Sequence, residues 1–197
     1  EDRKRLAEFV GRLGETGGAS GKERRLALLF DGYNAFIIET VLARYPVDSI
    51  RSIPGAFTAE AHRFGGRLCS LDEMEHAAIA LGGYRAHAAM VCASRSCPPL
   101  ERRAWSEGDL DARLDAQMRA WMARDDLWSF EPAENLVRAP RYLDWYRADF
   151  ESAGVPKVLA TYAPARFRAW LSRGDFRLAF LDYDWRLNDQ TPPRGRE

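Results

Sequence analysis

The stretch Leu26–Leu42, with the sequence LALLFDGYNAFIIETVL, decides the fold. It predicts a helix over residues 24–44 that is apolar on nearly every face, and such a helix is buried in a protein core. Asn34 and Glu39 are polar positions inside it, and Pro46 is expected to end it because proline cannot continue a helix. We therefore expect the chain to pack around one long buried helix.

Further helices and a few short strands are predicted outward from this helix. Ser70-Leu71-Asp72-Glu73 has the form of a capping box, which predicts a helix from Ser70 to about Gly82-Gly83. The apolar run at residues 86–92, bounded by turn residues, is interpreted as a buried strand. The other predictions are helices over 2–14, 107–123 (capped by Ser106), 141–151 and 155–172 (two short helices split near Pro164), strands over 135–139 and 176–183, and irregular structure over 47–68.

These elements predict an α+β fold, a helix-rich single domain over residues 1–189 with a small, mostly antiparallel sheet. The tail 190–197 is polar and rich in proline, so we expect it to be disordered.

Composition narrows the function classes. The chain has 197 residues, 46% of them hydrophobic, which is ordinary for a soluble globular protein. Its 29 basic residues balance 29 acidic ones, so the electrostatic signature of nucleic-acid binding is missing and no nucleic-acid partner is predicted. The sequence contains no run of about 18 apolar residues, so no membrane-spanning segment is predicted. The sequence begins at Glu1 and not at Met, which is compatible with an upstream signal and a location in the cell envelope or periplasm.

Cys97 is the strongest candidate for chemistry, in the segment Ser94-Arg95-Ser96-Cys97-Pro98-Pro99-Leu100. Pro98 favours an extended backbone at Cys97. Pro98-Pro99 also suits the start of a helical turn, where the positive backbone potential would lower the pKa of the thiol. The alternative is a rigid turn in which the cysteine is a small buried apolar residue.

A thiol nucleophile needs an imidazole beside it and a third group that orients the imidazole. Of the three histidines, His62, His76 and His87, the last opens the predicted strand ten residues before Cys97, so a strand and turn can bring the two together. Glu75 and Glu73 are the candidates for the orienting carboxylate. A solvated glutamate on a helix face is the alternative interpretation of Glu75.

The three cysteines are too few for a disulfide framework, and they lack the paired Cys-x-x-Cys spacing of a structural zinc site. The spacing of Cys92 and Cys97 allows a disulfide, which would remove the nucleophile. A zinc site from His76, His87 and Cys97 is conceivable, but nothing in their spacing favours it. We therefore predict neither a metal nor another cofactor.

Five blocks in order resemble a bacterial family catalogued as domain of unknown function 547. They are Tyr33-Asn34-Ala35, Tyr45-Pro46-Val47-Asp48-Ser49-Ile50, Ser70-Leu71-Asp72-Glu73-Met74-Glu75-His76, His87-Ala88-Ala89-Met90-Val91-Cys92-Ala93 leading into Ser96-Cys97-Pro98-Pro99-Leu100, and Leu181-Asp182-Tyr183-Asp184-Trp185-Arg186-Leu187-Asn188-Asp189. The family is similar to a circularly permuted papain-like or transglutaminase-like cysteine protease fold. The resemblance implies a Glu–His–Cys set on Glu75, His87 and Cys97. Papain-like enzymes run in the order Cys, His and orienting residue, so the reversed order here is compatible only with a permutation or with another fold.

The expected function is that of a thiol-dependent hydrolase or acyltransferase, related to cysteine peptidases or transglutaminases, acting on an unknown peptide, protein or amide. Asn34 or the Cys97 backbone N–H is the expected oxyanion donor, and Ser96 and His76 are supporting candidates. One alternative is a catalytically silent protease-like fold that acts as a binding or scaffold domain. Another is a metal-dependent enzyme with histidine and cysteine ligands.

Overall fold

Helices form most of the regular structure in the computed structural model, which describes residues 1–15 and 20–189. The helices are α1 (Asp2–Glu15), α2 (Lys22–Arg44), α3 (Leu71–Gly82), α4 (Ala86–Ala89), α5 (Leu110–Met122), α6 (Arg141–Trp145), α7 (Arg147–Ala153), α8 (Val155–Tyr162) and α9 (Arg168–Leu171). The strands are β1 (His62–Phe64), β2 (Arg67–Cys69), β3 (Ser129–Glu131), β4 (Leu136–Pro140) and β5 (Arg177–Leu181). The predicted helix-rich α+β class is confirmed, whereas the extent of a single domain over 1–189 stays a prediction. The predicted disordered tail at 190–197 lies outside the described residues.

The strands form two small sheets. β1 and β2 make an antiparallel hairpin, and β3, β4 and β5 make a sheet in that order. β3 pairs with β4 antiparallel, whereas β4 pairs with β5 parallel because α6–α9 form the crossover between them. The prediction of irregular structure over 47–68 is wrong for the hairpin, whose turn is formed by Gly65 and Gly66 with φ of 58° and 84°.

The long helix α2 lies in the core as predicted. Its length and composition alone would suit a membrane-spanning helix, but 61% of its most apolar window is buried inside the protein. Gly32 lets α3 and the hairpin approach closely, since a Cβ there would lie 3.0 Å from the Met74 and Phe64 side chains. The apolar character of α2 is therefore that of a helix at the centre of a core.

Two apolar clusters divide the interior, and α5 contributes to both. The first cluster surrounds α2 and includes Leu110 and Leu114 from the beginning of α5. The second cluster packs the three-stranded sheet against α6–α9 and includes Met118 and Trp121 from the end of α5. Val91, Cys92 and Cys97 form a third, small buried cluster.

Several predicted elements are corrected by the structure. The predicted strand at 86–92 is wrong: residues 86–89 form the helical turn α4, because alanine favours helix and a short apolar run does not distinguish the two. The predicted helix 141–151 is two helices that meet at Tyr146, and α5 begins at Leu110 with Asp109, not Ser106, at its N-cap. No helical turn begins at Pro98-Pro99, so the thiol of Cys97 does not lie at a helix N-terminus.

Candidate active site

A tight turn brings Cys97 back onto Cys92. Ala93 adopts a left-handed backbone conformation with φ of 59°, and the Cys97 N–H donates to the Ser94 carbonyl oxygen at 3.2 Å. The segment after β5 holds this turn from the other side. Its backbone hydrogen bonds are Arg95 N to Arg186 O (3.0 Å), Ser96 N to Asp184 O (3.3 Å) and Asn188 N to Ala93 O (2.9 Å). The turn is thus defined by two segments about 90 residues apart in the chain.

The sulfur of Cys97 is surrounded by hydrogen-bond donors. The Cys92 N–H donates to Cys97 Sγ at 3.0 Å, and the Cys92 thiol lies 2.6 Å from it. The Tyr183 hydroxyl lies 3.2 Å and the Ser94 hydroxyl 3.3 Å from the same sulfur. The single proton of Ser94 goes either to Cys97 or to the Tyr183 oxygen at 2.8 Å, and the second arrangement leaves the Tyr183 proton available to Cys97. This arrangement satisfies a thiolate at Cys97 without an imidazole.

This geometry shifts the pKa values of the two thiols in opposite directions. Burial alone raises the pKa of Cys97, but the hydrogen bonds from Cys92, Ser94 and Tyr183 together outweigh burial and lower it to about 6. The pKa of Cys92 is raised well above its ordinary value by its hydrogen bond to Cys97 and by burial. The two thiols therefore titrate as a pair, and the geometry favours the charge on Cys97, whose sulfur accepts from the Cys92 N–H and lies 3.2 Å from the Tyr183 hydroxyl.

Cys97 lines a cavity of about 440 Å³. Half of the residues that line it are aromatic, namely Tyr33, Phe57, Tyr142, Trp145, Tyr146, Tyr183 and Trp185. Glu75 and Asp72 on α3 also line it. Burial raises the pKa of Glu75, although the Tyr146 and Tyr142 hydroxyls donate to Oε1 at 2.8 and 3.1 Å and act in the opposite direction. The cavity thus combines an acidic thiol with a carboxyl group that accepts a proton more readily than a solvated glutamate.

The choice between Glu75 and Glu73 is resolved by position. Glu73 is exposed and completes the predicted capping box, in which Ser70 N donates to Glu73 Oε2 at 2.7 Å and Glu73 N donates to Ser70 Oγ at 3.1 Å. Glu75 is 8% exposed and points into the cavity. Glu75 is therefore the carboxylate that shares a site with Cys97.

His87 is fully buried and its two ring nitrogens face other partners. Nε2 lies 2.8 Å from Asp149 Oδ2, which requires the proton on Nε2, and Nδ1 lies 3.4 Å from the Tyr142 hydroxyl. Burial lowers the pKa of His87, and the hydrogen bond to Asp149 partly opposes this. His87 is absent from the cavity wall, and Tyr142, which gives its single proton to Glu75, lies between the two residues. The structure thus gives the predicted acid and base a common neighbour in Tyr142 but holds Cys97 by a separate set of groups.

The three supporting candidates lie around the cavity and not in its wall. Asn34 on α2 donates to the Ala89 carbonyl at 2.8 Å and accepts from Val91 N at 2.9 Å, so it positions the segment that leads to Cys92. Ser96 accepts from Asp184 N at 2.8 Å. His76 is exposed on α3.

Sequence reasoning missed the groups that contact the two candidate side chains most closely. Tyr183 was part of a family block, but no role could be assigned to it because it lies 86 residues from Cys97. The sequence favours neither Ser94 nor Ser96, but the structure places the Ser94 hydroxyl 3.3 Å from Cys97 Sγ and the Ser96 hydroxyl on Asp184 N. Asp149, 62 residues from His87, has no signal in the sequence at all.

A metal site has no obvious ligand set here. Within residues 1–15 and 20–189, no group of three or more His, Cys, Asp or Glu side chains is placed to hold a metal ion. The alternative of a metal-dependent enzyme therefore finds no supporting geometry in the described part of the chain.

Comparison with known proteins was made for sequence families, curated proteins and solved structures. Residues 18–122 match the family described as "Protein of unknown function, DUF547". No curated protein and no solved structure matched. The matched region includes Glu75, His87, Cys92 and Cys97, whereas Tyr183 lies beyond it.

Proposed function

The chain belongs to the DUF547 family, and from the geometry of its cavity we propose that it is a thiol-dependent hydrolase or acyltransferase with Cys97 as the nucleophile. The observation that carries the proposal is the set of donors around Cys97 Sγ, which stabilises a thiolate facing a cavity of about 440 Å³. A thiolate is the reactive form of cysteine, and a cavity gives a substrate carbonyl access to it.

In the proposed acyl transfer, the Cys97 thiolate attacks the carbonyl carbon of the substrate, the leaving group departs with a proton, and a thioester forms. Water or an acceptor amine then attacks the thioester and releases Cys97 as a thiolate. Glu75 is the proposed proton carrier, because it lines the same cavity and burial raises its pKa, which makes it a better proton acceptor than a solvated glutamate.

Tyr33 is the proposed oxyanion donor in place of Asn34 and the Cys97 N–H. Both of those groups already donate to backbone carbonyl oxygens, of Ala89 and Ser94. The Tyr33 side chain is 3% exposed and lines the cavity, and none of the hydrogen bonds among the described residues uses its hydroxyl. A hydroxyl that lines the cavity and is not committed to another side chain is available to a developing oxyanion.

The permuted papain-like arrangement belongs to the same proposal. A site lined from both apolar clusters supports it, whereas the order Glu75, His87, Cys97 does not, since a circular permutation keeps the cyclic order Cys, His, orienting residue. In that arrangement His87 acts as a positioning residue, since Asp149 and Tyr142 hold its two nitrogens. An experimental structure with a ligand on Cys97 in which His87 stays on Asp149 supports this role.

The test is acylation by p-nitrophenyl acetate. We expect a burst of one nitrophenolate per chain, an acetyl group on Cys97 by peptide mass mapping, and a burst rate that reaches half its maximum well below the ordinary thiol pKa of about 8.5. Cys97→Ala should abolish the burst, whereas Cys69→Ala, a matched change at another buried thiol, should leave it intact. Glu75→Gln should retain the burst and slow the release of the acetyl group.

The competing function is a silent binding or scaffold domain. The contact of His87 with Asp149 favours it, because the imidazole is thereby committed elsewhere. A chain that shows no burst, or acetylates Cys69 as fast as Cys97, fits the silent domain and contradicts the enzyme.

A further inference from the structure

The second cysteine of the cavity donates to Cys97 but forms no bond to the substrate in the proposed acyl transfer. Cys92 is 9% exposed and lines the cavity beside Cys97, and the two sulfur atoms are 2.6 Å apart. Both are free thiols in this structure. A second thiol beside a nucleophilic thiolate matches the arrangement of a resolving cysteine beside a redox-sensitive one.

The turn between the two cysteines keeps their sulfurs together. Ala93 turns the chain with its left-handed backbone, and the Cys97 N–H closes the turn on the Ser94 carbonyl. Hydrogen bonds from the segment 184–188 hold residues 93–96 in place. Bond formation between the sulfurs therefore needs little movement of the backbone, which is the main geometric barrier to a disulfide.

The two thiols differ in ionisation, as the attacked thiolate and the resolving thiol of a redox pair do. Cys97 carries the negative charge because three side chains and one N–H stabilise it, and burial and Cys97 itself keep Cys92 protonated. Oxidation removes the negative charge of Cys97, so that charge no longer raises the pKa of Cys92.

We propose that Cys97 and Cys92 form a reversible redox pair, in which a hydroperoxide oxidises Cys97, Cys92 resolves the product as a disulfide, and the cavity loses its nucleophile until a dithiol reduces it. The Cys97 thiolate attacks one peroxide oxygen, the O–O bond breaks, and Cys97 becomes a sulfenic acid while the other oxygen takes a proton from solvent and leaves as water or an alcohol. The Cys92 sulfur then attacks the Cys97 sulfur, the S–S bond forms, the S–O bond breaks, and hydroxide leaves as water with the Cys92 proton. The two sulfurs lose two electrons in total, and the peroxide gains them.

Cys69 is the internal control. It is the third free cysteine, it lines a different cavity beside α2, and its thiol donates to the His62 carbonyl oxygen at 3.4 Å. Burial raises the pKa of Cys69, so it lacks the thiolate that peroxide attacks.

The experiment treats the full chain with one equivalent of hydrogen peroxide, blocks the remaining thiols with N-ethylmaleimide and maps tryptic peptides by mass. Trypsin cuts after Arg95, between the two cysteines, so the disulfide joins peptide 86–95 to peptide 96–102 with the loss of two hydrogen atoms. We expect this joined species, its loss on treatment with dithiothreitol, and a maleimide-labelled Cys69.

Two variants assign the roles. Cys92→Ser should accumulate a sulfenic acid on Cys97 that dimedone traps, because the resolving thiol is missing. Cys97→Ser should leave Cys92 reduced. A sulfenic acid on Cys92 in Cys97→Ser, a disulfide through Cys69, or conversion of Cys97 to sulfinic acid beside a reduced Cys92 would overturn the proposal.

This inference uses the same Cys97 thiolate as the proposed function but not its acyl chemistry. A disulfide without an acylation burst would leave the redox pair standing and refute the hydrolase. A burst without a disulfide would support the hydrolase and refute the redox pair.

Discussion

Cys97 owes its acidity to side chains that come from distant parts of the chain. Tyr183 and Ser94 are linked to each other and both reach the sulfur, and Cys92 adds a thiol and an N–H. Hydrogen bonds to a charged group stabilise it by about 1.5–3 kcal/mol each, enough to offset burial when several act together. The reactivity of this cysteine is therefore a property of the folded cavity and not of the local sequence.

Tyr183→Phe tests the residue that sequence reasoning missed. The ring stays in its aromatic stack with Trp145 and Trp185, but the donor to Cys97 is lost. We expect the pKa of Cys97 to rise by about 1, since one hydrogen bond to a thiolate is removed. The pH dependence of Cys97 alkylation by iodoacetamide measures this.

Tyr146→Phe is the matched control, since it removes a cavity hydroxyl that donates to Glu75 instead of Cys97. The alkylation profile should not move in this variant. Equal profiles for the wild-type chain and Tyr183→Phe would mean that Tyr183 does not stabilise the thiolate.

At the scale of elements, α2 and α3 form where the sequence predicts them, whereas the segment 86–92, which leads to the site, does not form the predicted strand. The all-round apolar pattern and the capping box are local signals, and each helix formed where its signal lies. The run 86–92 is ambiguous locally, and its outcome depends on Asn34 of α2, which binds the backbone at Ala89 and Val91. Long-range contacts therefore decide the segment that carries His87 and Cys92.

Asp31 gives α2 a measurable dependence of stability on pH. Burial raises its pKa from 3.8 to about 6, against the opposing hydrogen bond from Trp105 N and the charge of Arg113. The folded chain thus binds more protons than the unfolded chain between about pH 4 and pH 6, so this group makes stability fall as the pH rises through that window.

Asp31→Asn keeps the acceptor for Trp105 N and removes the charge. We expect the free energy of unfolding at pH 7 to rise by about 1 kcal/mol, a value reduced for the partial exposure of the group. The measurement is urea unfolding at pH 4 and pH 7. Asp125→Asn, at an exposed position, should change neither value, and an Asp31→Asn chain no more stable than wild type at pH 7 would contradict the argument.

At the scale of the whole molecule, α5 joins the two apolar clusters, and the cavity lies beside both. Leu114 packs in the first cluster and Trp121 in the second, two turns farther along the same helix. Groups around the cavity come from both sides, with Tyr33 on α2 and Tyr142 on α6. We therefore expect the two clusters, and the site with them, to unfold in one transition.

Leu114→Ala should lower the free energy of unfolding by about 3 kcal/mol, because it leaves a cavity at a side chain that is 1% exposed. Hydrogen exchange should show the loss in α2 and in β4 alike, since α5 couples them. Leu100→Ala removes the same atoms at a position that is 47% exposed and should cost less than about 0.5 kcal/mol. A loss confined to α2 would show that the clusters unfold separately.

The sequence by itself determined the fold class, the buried helix α2 and the capped helix α3, because apolar periodicity and capping act over a few residues. The tertiary structure alone decided which groups meet at the site. His87 lies on Asp149 and not on Cys97, Glu75 accepts from Tyr142 and Tyr146, and Tyr183 with Cys92 surrounds the Cys97 sulfur. The partners from α6, α7 and the segment after β5 lie 62–86 residues away, a separation across which local patterns carry no information about distance.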